Sequence, residues 1–163
     1  MRQNKKKAGE LNDHFQEKLK YWAGEAGGSL PSSDLPVKRR RRAIEKLWRT
    51  YGGDAARLID LCRGAIRLET PADLARCVQL ILEDPHCGVL QIKNRLTKKH
   101  NPLSSAGYRN VSLSLIIVDE YTMSRGIDAH VCELQLGLGP FEDLKYYLDG
   151  HARYVKFRNS RAE

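Results

Sequence analysis

Two short stretches of alternating apolar and polar residues, 111–117 and 131–138, constrain this chain more than any other feature. In the first, Val111, Leu113, Leu115 and Ile117 are interleaved by Ser112 and Ser114; in the second, Cys132, Leu134, Leu136 and Leu138 alternate with Val131, Glu133, Gln135 and Gly137. A period of two belongs to strands, whose side chains alternate between faces. If both apolar faces are buried in one core, the pairing sets Ser112 and Ser114 beside Glu133 and Gln135. The result is a polar floor over a hydrophobic core. A carboxylate on that floor is either solvated, as on the open face of many antiparallel sheets, or it serves a ligand.

The rest of the chain supplies partners for these strands. With 163 residues and 41% hydrophobic content it can bury one sizeable core. Thr70-Pro71-Ala72-Asp73 reads as a helix start, followed by an apolar stripe of Leu74, Cys77, Val78, Ile81 and Leu82 and an end at Asp84-Pro85. Residues 64–68 and Val89, Leu90 and Ile92 read as further strands. Ser33, Asp34 and Pro36 start a helix carrying Ile44, Leu47, Trp48 and Tyr51, and Asp54 can cap another carrying Leu58, Ile59 and Leu61. Residues 119–129, with Arg125-Gly126, read as a hairpin surface loop, and Gly139-Pro140 opens a helix that should turn Phe141, Leu144, Tyr147 and Leu148 to the core. Residues 1–7 read as a frayed basic end, Leu11, Phe15, Leu19 and Trp22 as one face of a short helix, and 24–33 as a Gly/Ser linker. The organisation predicted is therefore a basic N-terminal segment, 1–33, and a domain, 34–163. The fold class is α+β, with a mixed, largely antiparallel sheet of about four to five strands packed with helices.

A formal charge of +8 points to polyanionic partners: nucleotides, nucleic acid or an acidic surface. Five consecutive cations at 38–42 lie close to a helix start, where the dipole disfavours them unless an anion binds; the alternative is a solvated basic turn. Lys93, Arg95, Lys98, Lys99 and His100 form a second cluster behind a strand, and His151, Arg153, Tyr154, Lys156 and Arg158 a basic, aromatic tail. The four cysteines lack Cys-x-x-Cys spacing and sit in or beside apolar runs, so core thiols in a reducing compartment are expected. His86-Cys87 has no second tight pair to complete a metal site. No run approaches the roughly 20 apolar residues of a membrane span, and the basic start has no apolar run behind it, so a soluble, cytoplasmic protein without a membrane partner is expected.

Gly107-Tyr108-Arg109 combines a residue able to turn tightly, an aromatic face and a bidentate cation, a set suited to nucleotides. Together with Val131-Cys132-Glu133-Leu134-Gln135-Leu136, Asp60-Leu61-Cys62-Arg63-Gly64-Ala65-Ile66 and Ile92-Lys93-Asn94-Arg95, in this order, it resembles the RelA/SpoT-type alarmone synthetase domain, with its Gly-Tyr-x-Ser-x-His, Glu-x-Gln-x-Arg, Asp-x-x-Gly-x-Arg and Lys-Asp-Tyr patterns. The resemblance spans about Val37 to Arg158. It implies a nucleotidyltransferase-like fold and Mg²⁺-dependent transfer of pyrophosphate from ATP to the 3′ hydroxyl of a guanine nucleotide. By the same resemblance Asp60 and Glu133 hold Mg²⁺, Glu133 assists deprotonation of the acceptor, Gln135 orients the site and Tyr108 stacks on the acceptor base. Arg40, Arg42, Lys46, Arg63, Lys93, Arg95 and Arg109 are the nucleotide-binding candidates. The chain departs from the family where its glycine and arginine fall on Arg63 and Ala65, its histidine on Ser112 and its last arginine on Gly137. Two other readings stay open: pyrophosphate transfer to the 3′ end of tRNA, as in toxic small alarmone synthetases, and a catalytically silent domain that binds nucleotide or RNA.

Overall fold

The computed structural model describes residues 2–31, 62–105, 107–147 and 156. Within them the order is α1 (Arg2–Ala26), β1 (Cys62–Leu68), α2 (Pro71–Glu83), β2 (Cys87–Asn94), a 3-10 turn (Pro102–Ser105), β3 (Val111–Ile117), α3 (Glu120–Arg125), β4 (Cys132–Leu138) and α4 (Gly139–Tyr147). The helix expected around Ile44 and Trp48, the cap at Asp54 and the tail from Leu148 on, apart from the backbone at Lys156, lie outside the described residues.

The four strands form one mixed sheet in the order β1-β4-β3-β2. β4 runs parallel to β1 and antiparallel to β3, and β3 is antiparallel to β2. The α+β class and the mixed, largely antiparallel sheet agree with the sequence reading. β3 begins at Val111, and residues 107–110 lead into it as a turn. Ile66, Leu68, Leu113, Leu115, Ile117, Cys132, Leu134 and Leu136 point to one side and are buried there beneath α1 and α2. Each large side chain so buried stabilises the fold by roughly 1.5–3 kcal/mol.

α1 is a structural member of this core rather than a short accessory helix. It begins at Arg2, where a frayed end was expected, and runs for 25 residues. Leu11, Phe15, Leu19 and Trp22 are all essentially without solvent exposure. The helix comes so close to β1 that a Cβ on Gly64 would collide with the Leu19 side chain. Lys18 Nζ donates to both oxygens of Asp84 at 3.1 and 2.9 Å, and Trp22 Nε1 donates to Asp84 Oδ2 at 3.1 Å, which fixes α1 to the end of α2. Burial alone would raise the Asp84 carboxyl; the Lys18 ammonium, the His86 backbone N–H and the indole outweigh it and hold it below the ordinary carboxylate range. The supposed linker also has a place. Gly27, at φ 70°, turns the chain out of α1, and Ser29 exchanges two 2.8 Å backbone hydrogen bonds with Arg67 on the β1 edge.

The start of α2 is the capping box that Thr70 and Asp73 announce: Asp73 N donates to Thr70 Oγ1 at 3.1 Å, and Thr70 N to Asp73 Oδ2 at 3.1 Å. Leu74, Cys77 and Ile81 are buried, whereas Leu82, read as part of the stripe, is 54% exposed because it falls past the contact face. Residues 119–129 are not a hairpin loop. Asp119 and Thr122 build a second capping box, α3 follows, and Gly126 in the left-handed region ends it. The local cap signal, Asp at N-cap with Thr three residues on, explains the helix. His14 of α1 places Nε2 2.6 Å from Asp119 Oδ2 and stacks on Tyr121 at 4.6 Å.

α4 reverses the orientation expected of it. Phe141 and Leu144 are 41% and 54% exposed. The polar side of the helix meets the sheet: Arg67 Nη1 and Nη2 donate to Asp143 at 2.6 and 3.1 Å, Arg67 Nε donates to Glu69 at 2.8 Å, and the Glu142 side chain lies against Gly137, where a Cβ would meet its Oε1 at 2.7 Å. Tyr147 closes α4, and the core role expected of its side chain and of Leu148 lies outside what is described. The four cysteines are thiols; Cys62, Cys77 and Cys132 are buried, and burial pushes Cys77 up to about 11. No described helix is long and apolar enough to cross a membrane.

Candidate active site

The side of the sheet opposite α1 and α2 carries the polar residues in two cross-strand rows. Arg63 on β1 is level with Glu133 on β4, Glu133 with Ser114 on β3, and Ser114 with Gln91 on β2. One step along, Ala65 is level with Gln135, Gln135 with Ser112, and Ser112 with Lys93. The polar floor inferred from alternation is therefore present, and it is four strands wide.

Glu133 is half-buried near its centre. Its Oε1 accepts from Ser112 Oγ at 3.4 Å and from Gln135 Nε2 at 3.3 Å, both at the long end of the hydrogen-bond range. Among the described residues it makes no ion pair, although Arg63 is its strand neighbour. Arg63 is held from behind, where Gln16 Nε2 of α1 reaches its carbonyl at 3.5 Å. Its Nε is buried without a hydrogen-bond partner. Leaving a buried donor unmatched costs roughly 1–3 kcal/mol, more for a charged group. A half-buried carboxylate that makes no ion pair among the described residues, next to a cation with an unmatched donor, is poor design for stability and good design for a ligand.

Beyond the second row lie the other candidates. Gly107 takes φ 81°, the left-handed conformation that lets the chain turn just before Tyr108. Tyr108 N donates to Ser105 O at 3.0 Å, Ser105 Oγ donates to Tyr108 O at 3.1 Å, and His100 Nε2 lies 2.8 Å from Ser105 Oγ, so the aromatic ring leaves a braced turn. Tyr108 is half-buried, while Lys93, Lys98 and Lys99 are exposed. Arg95 Nη1 donates to Asn110 Oδ1 at 2.9 Å, and Arg109 Nη1 donates to Arg95 O at 3.0 Å. Arg109 thus has a bracing contact in this turn.

The structure brings Arg63, Lys93, Glu133 and Gln135 onto one face and sets Arg95, Tyr108 and Arg109 at the β2–β3 end of it. Arg40, Arg42, Lys46 and Asp60 lie outside the described residues. Sequence reasoning missed Asn110, buried at 3% exposure, and the Arg67–Glu69–Asp143 clamp. A lone polar residue directly ahead of an apolar strand was the available signal for Asn110; the clamp joins positions 76 residues apart and has no local signal.

The donor set on this face is oxygen-rich: the Glu133 carboxylate, the Gln135 amide and the Ser112 and Ser114 hydroxyls. Hard oxygen donors suit Mg²⁺, which keeps much of its water and takes one or two protein carboxylates. Among the described residues no three His, Cys, Asp or Glu side chains gather as a complete metal cluster.

This mixed four-stranded sheet packed with helices is a fold shared with solved small alarmone synthetases. Solved structures that share it include small alarmone synthetase 1 from Bacillus subtilis bound to its product pppGpp, with a TM-score of 0.67 and 15% identity over 95% of this chain and 84% of that one. The Type VI effector Tas1 in complex with its immunity protein gives 0.60 and 22% identity over 95% and 73% of the two chains. A GTP pyrophosphokinase family protein from Streptococcus pneumoniae gives 0.59 and 17% over 94% and 82%. At these identities the likeness is one of fold. No family model matches the sequence, and neither does any curated protein.

Proposed function

We propose that this chain is a pyrophosphokinase that transfers pyrophosphate from ATP to the 3′ hydroxyl of a guanine nucleotide. The observation that carries the reading is the pairing, at one level of the sheet, of a carboxylate that makes no ion pair among the described residues and an arginine with an unmatched buried donor. Glu133 takes the proton of the acceptor hydroxyl, and the long contacts from Ser112 and Gln135 orient its carboxylate while leaving most of its acceptor capacity to the substrate. Lys93 and Arg95 offset phosphate charge at the far side of the face, and Tyr108 offers its ring to the acceptor base. Arg40, Arg42 and Lys46 serve the donor phosphates, and Arg109 serves through the turn it braces. Asp60, two residues ahead of β1, and Glu133 are the residues that would hold Mg²⁺, which when bound neutralises donor phosphate charge. The solved relatives of the same fold, one holding pppGpp and another called a GTP pyrophosphokinase family protein, support this choice of reaction.

A second reading, transfer to the 3′ end of tRNA, is favoured by the exposed Lys93, Lys98 and Lys99 beside the face. Salt separates the two acceptors. A single-stranded RNA end that neutralises Z phosphates loses affinity with a log-log slope of about −0.7Z, whereas a guanine nucleotide presents few phosphates. AMP release from ATP, followed with GDP, GTP or tRNA as acceptor across a salt series, tests the reading: release that requires a guanine nucleotide and varies little with salt supports it, and release that requires tRNA and collapses with salt replaces it.

A further inference from the structure

We propose that Asn110 is a positioning residue that aims Arg95 at the 5′ phosphates of the acceptor nucleotide while leaving its charge intact; the inference rests on the pyrophosphokinase reading and says how one end of that site is built. The β2–β3 pairing continues one step past Asn94 and Val111, with Arg95 N donating to Asn110 O at 2.9 Å. By alternation both side chains then belong to the polar face, Arg95 in line with Gln91 and Lys93, Asn110 in line with Ser112 and Ser114. Asn110 is 3% exposed, and its Oδ1 accepts from Arg95 Nη1 at 2.9 Å. A buried amide destabilises the fold unless it is hydrogen-bonded, and this one spends its oxygen on a guanidinium. Arg109 Nη1 holds the same stretch from its backbone side, at 3.0 Å from Arg95 O and 3.4 Å from Thr97 O.

The other end of the face is built the opposite way. Arg67, level with Gly137 one step beyond the Ala65–Gln135 pair, gives Nε to Glu69 and both Nη atoms to Asp143. Two carboxylates offset that cation. A carboxamide fixes direction through its dipole and offsets no charge, and among the described residues Arg95 makes no ion pair. It therefore presents a directed positive charge, with the rest of its guanidinium fork left to an anion. An aspartate at 110 would hold the same direction and cancel the charge. Tyr108 stands two residues before Asn110, so a nucleotide whose base lies on that ring carries its own 5′ phosphates at this end of the face, where Arg95 is the braced cation and Lys93 an exposed one.

The test is calorimetric binding of GDP and of guanosine, with Mg²⁺ present, to the full chain and to Asn110→Ala, Asn110→Asp, Arg95→Gln and the Asn110→Ala, Arg95→Gln double variant, with a thermal melt of each and the KM for GDP from AMP release. Arg95→Gln loses a charge-assisted hydrogen bond outright and should bind GDP about ten- to a hundredfold more weakly. Asn110→Ala should lose about five- to tenfold, and Asn110→Asp about tenfold although it folds. The double variant should bind GDP within about twofold of Arg95→Gln, because the amide acts only through the guanidinium. Guanosine, which has no phosphate, should bind all five proteins within about twofold. The KM for GDP should rise by the same factors, with saturating GDP restoring most of kcat. Wild-type GDP affinity in Asn110→Asp, or losses that multiply in the double variant, overturns the proposal and leaves the functional reading standing. Guanosine lost in step with GDP also overturns it, since Asn110 would then hold the Tyr108 turn, as does guanosine bound by wild type as tightly as GDP. If Asn110→Ala does not fold, Asn110→Ser takes its place, and failure of every variant at 110 to fold overturns the proposal. A wild-type chain that binds neither probe overturns the functional reading and this proposal together.

Discussion

Replacing Glu133 by Gln should separate function from stability, because the structure gives this carboxylate little to do for the fold. Its two hydrogen bonds are 3.4 and 3.3 Å long and come from neutral donors. Ordinary hydrogen bonds contribute about 0.5–1.5 kcal/mol, and contacts at this distance less. Glutamine keeps the shape and one acceptor oxygen, so Ser112 and Gln135 can bond as before. The expected stability change is within about 1 kcal/mol in either direction, which for a chain of this size is roughly 2–4 °C in Tm. The charge and the proton acceptor are lost, so transfer should fall by about 10²- to 10⁴-fold. Thermal melting followed by circular dichroism and an AMP-release assay on the same preparation give both numbers. A melt lowered by about 10 °C would show that the carboxylate holds the sheet together, against the small contribution expected of such contacts. A variant that retains full transfer would remove Glu133 from the mechanism.

Three further outcomes follow from the geometry. Phe15→Ala, which empties a fully buried site under α1, should lower unfolding free energy by about 3–5 kcal/mol in urea titration; a loss under about 1 kcal/mol would mean that α1 does not pack as described. Tyr108→Ala should weaken acceptor binding by roughly 1–3 kcal/mol while Tyr108→Phe stays near wild type, and equal acceptor affinity in all three proteins would remove the stacking role. Asp84 and Asp119 are both held below the ordinary carboxylate range, burial opposing and their hydrogen-bonding partners prevailing. A depressed folded value means stability that is fully present above the unfolded pKa, about 3.9, and lost as pH falls through the lower folded value, so unfolding titrations below about pH 4 should be less steep in Asp84→Asn than in wild type. Parallel acid limbs in the two proteins would contradict the Lys18–Asp84 assignment.

How far the sequence could be read depended on how local each determinant is. The alternation in β3 and β4, the Thr70–Asp73 box and the Gly107 turn are written within a few residues of where they act, and each is found in the structure. Ser112 and Ser114 lie beside Glu133 and Gln135 as the alternation implied, whereas the parallel β1–β4 pairing that sets Arg63 level with Glu133 joins positions 70 apart and has no local signal. Two of the errors came from long-range forces. Phe141 and Leu144 looked like core residues, but Arg67 draws Asp143, and with it the polar side of α4, onto the sheet. Ser29 looked like part of a linker because its backbone partner, Arg67, lies 38 positions on. The 119–129 segment was within reach of local reasoning: Asp119 and Thr122 have the spacing of an N-cap pair, and Gly126 marks the stop.

The most direct test of the central claim is identification of the product by phosphorus NMR and mass spectrometry after the full chain is incubated with ATP, Mg²⁺, GDP and GTP, and separately with tRNA in place of the guanine nucleotides. The account predicts AMP together with a guanine nucleotide that has gained two phosphates on its 3′ oxygen, and no such product from Glu133→Gln. Product on the tRNA 3′ end alone, or ATP left unchanged with every acceptor while the wild-type protein is folded, would contradict it.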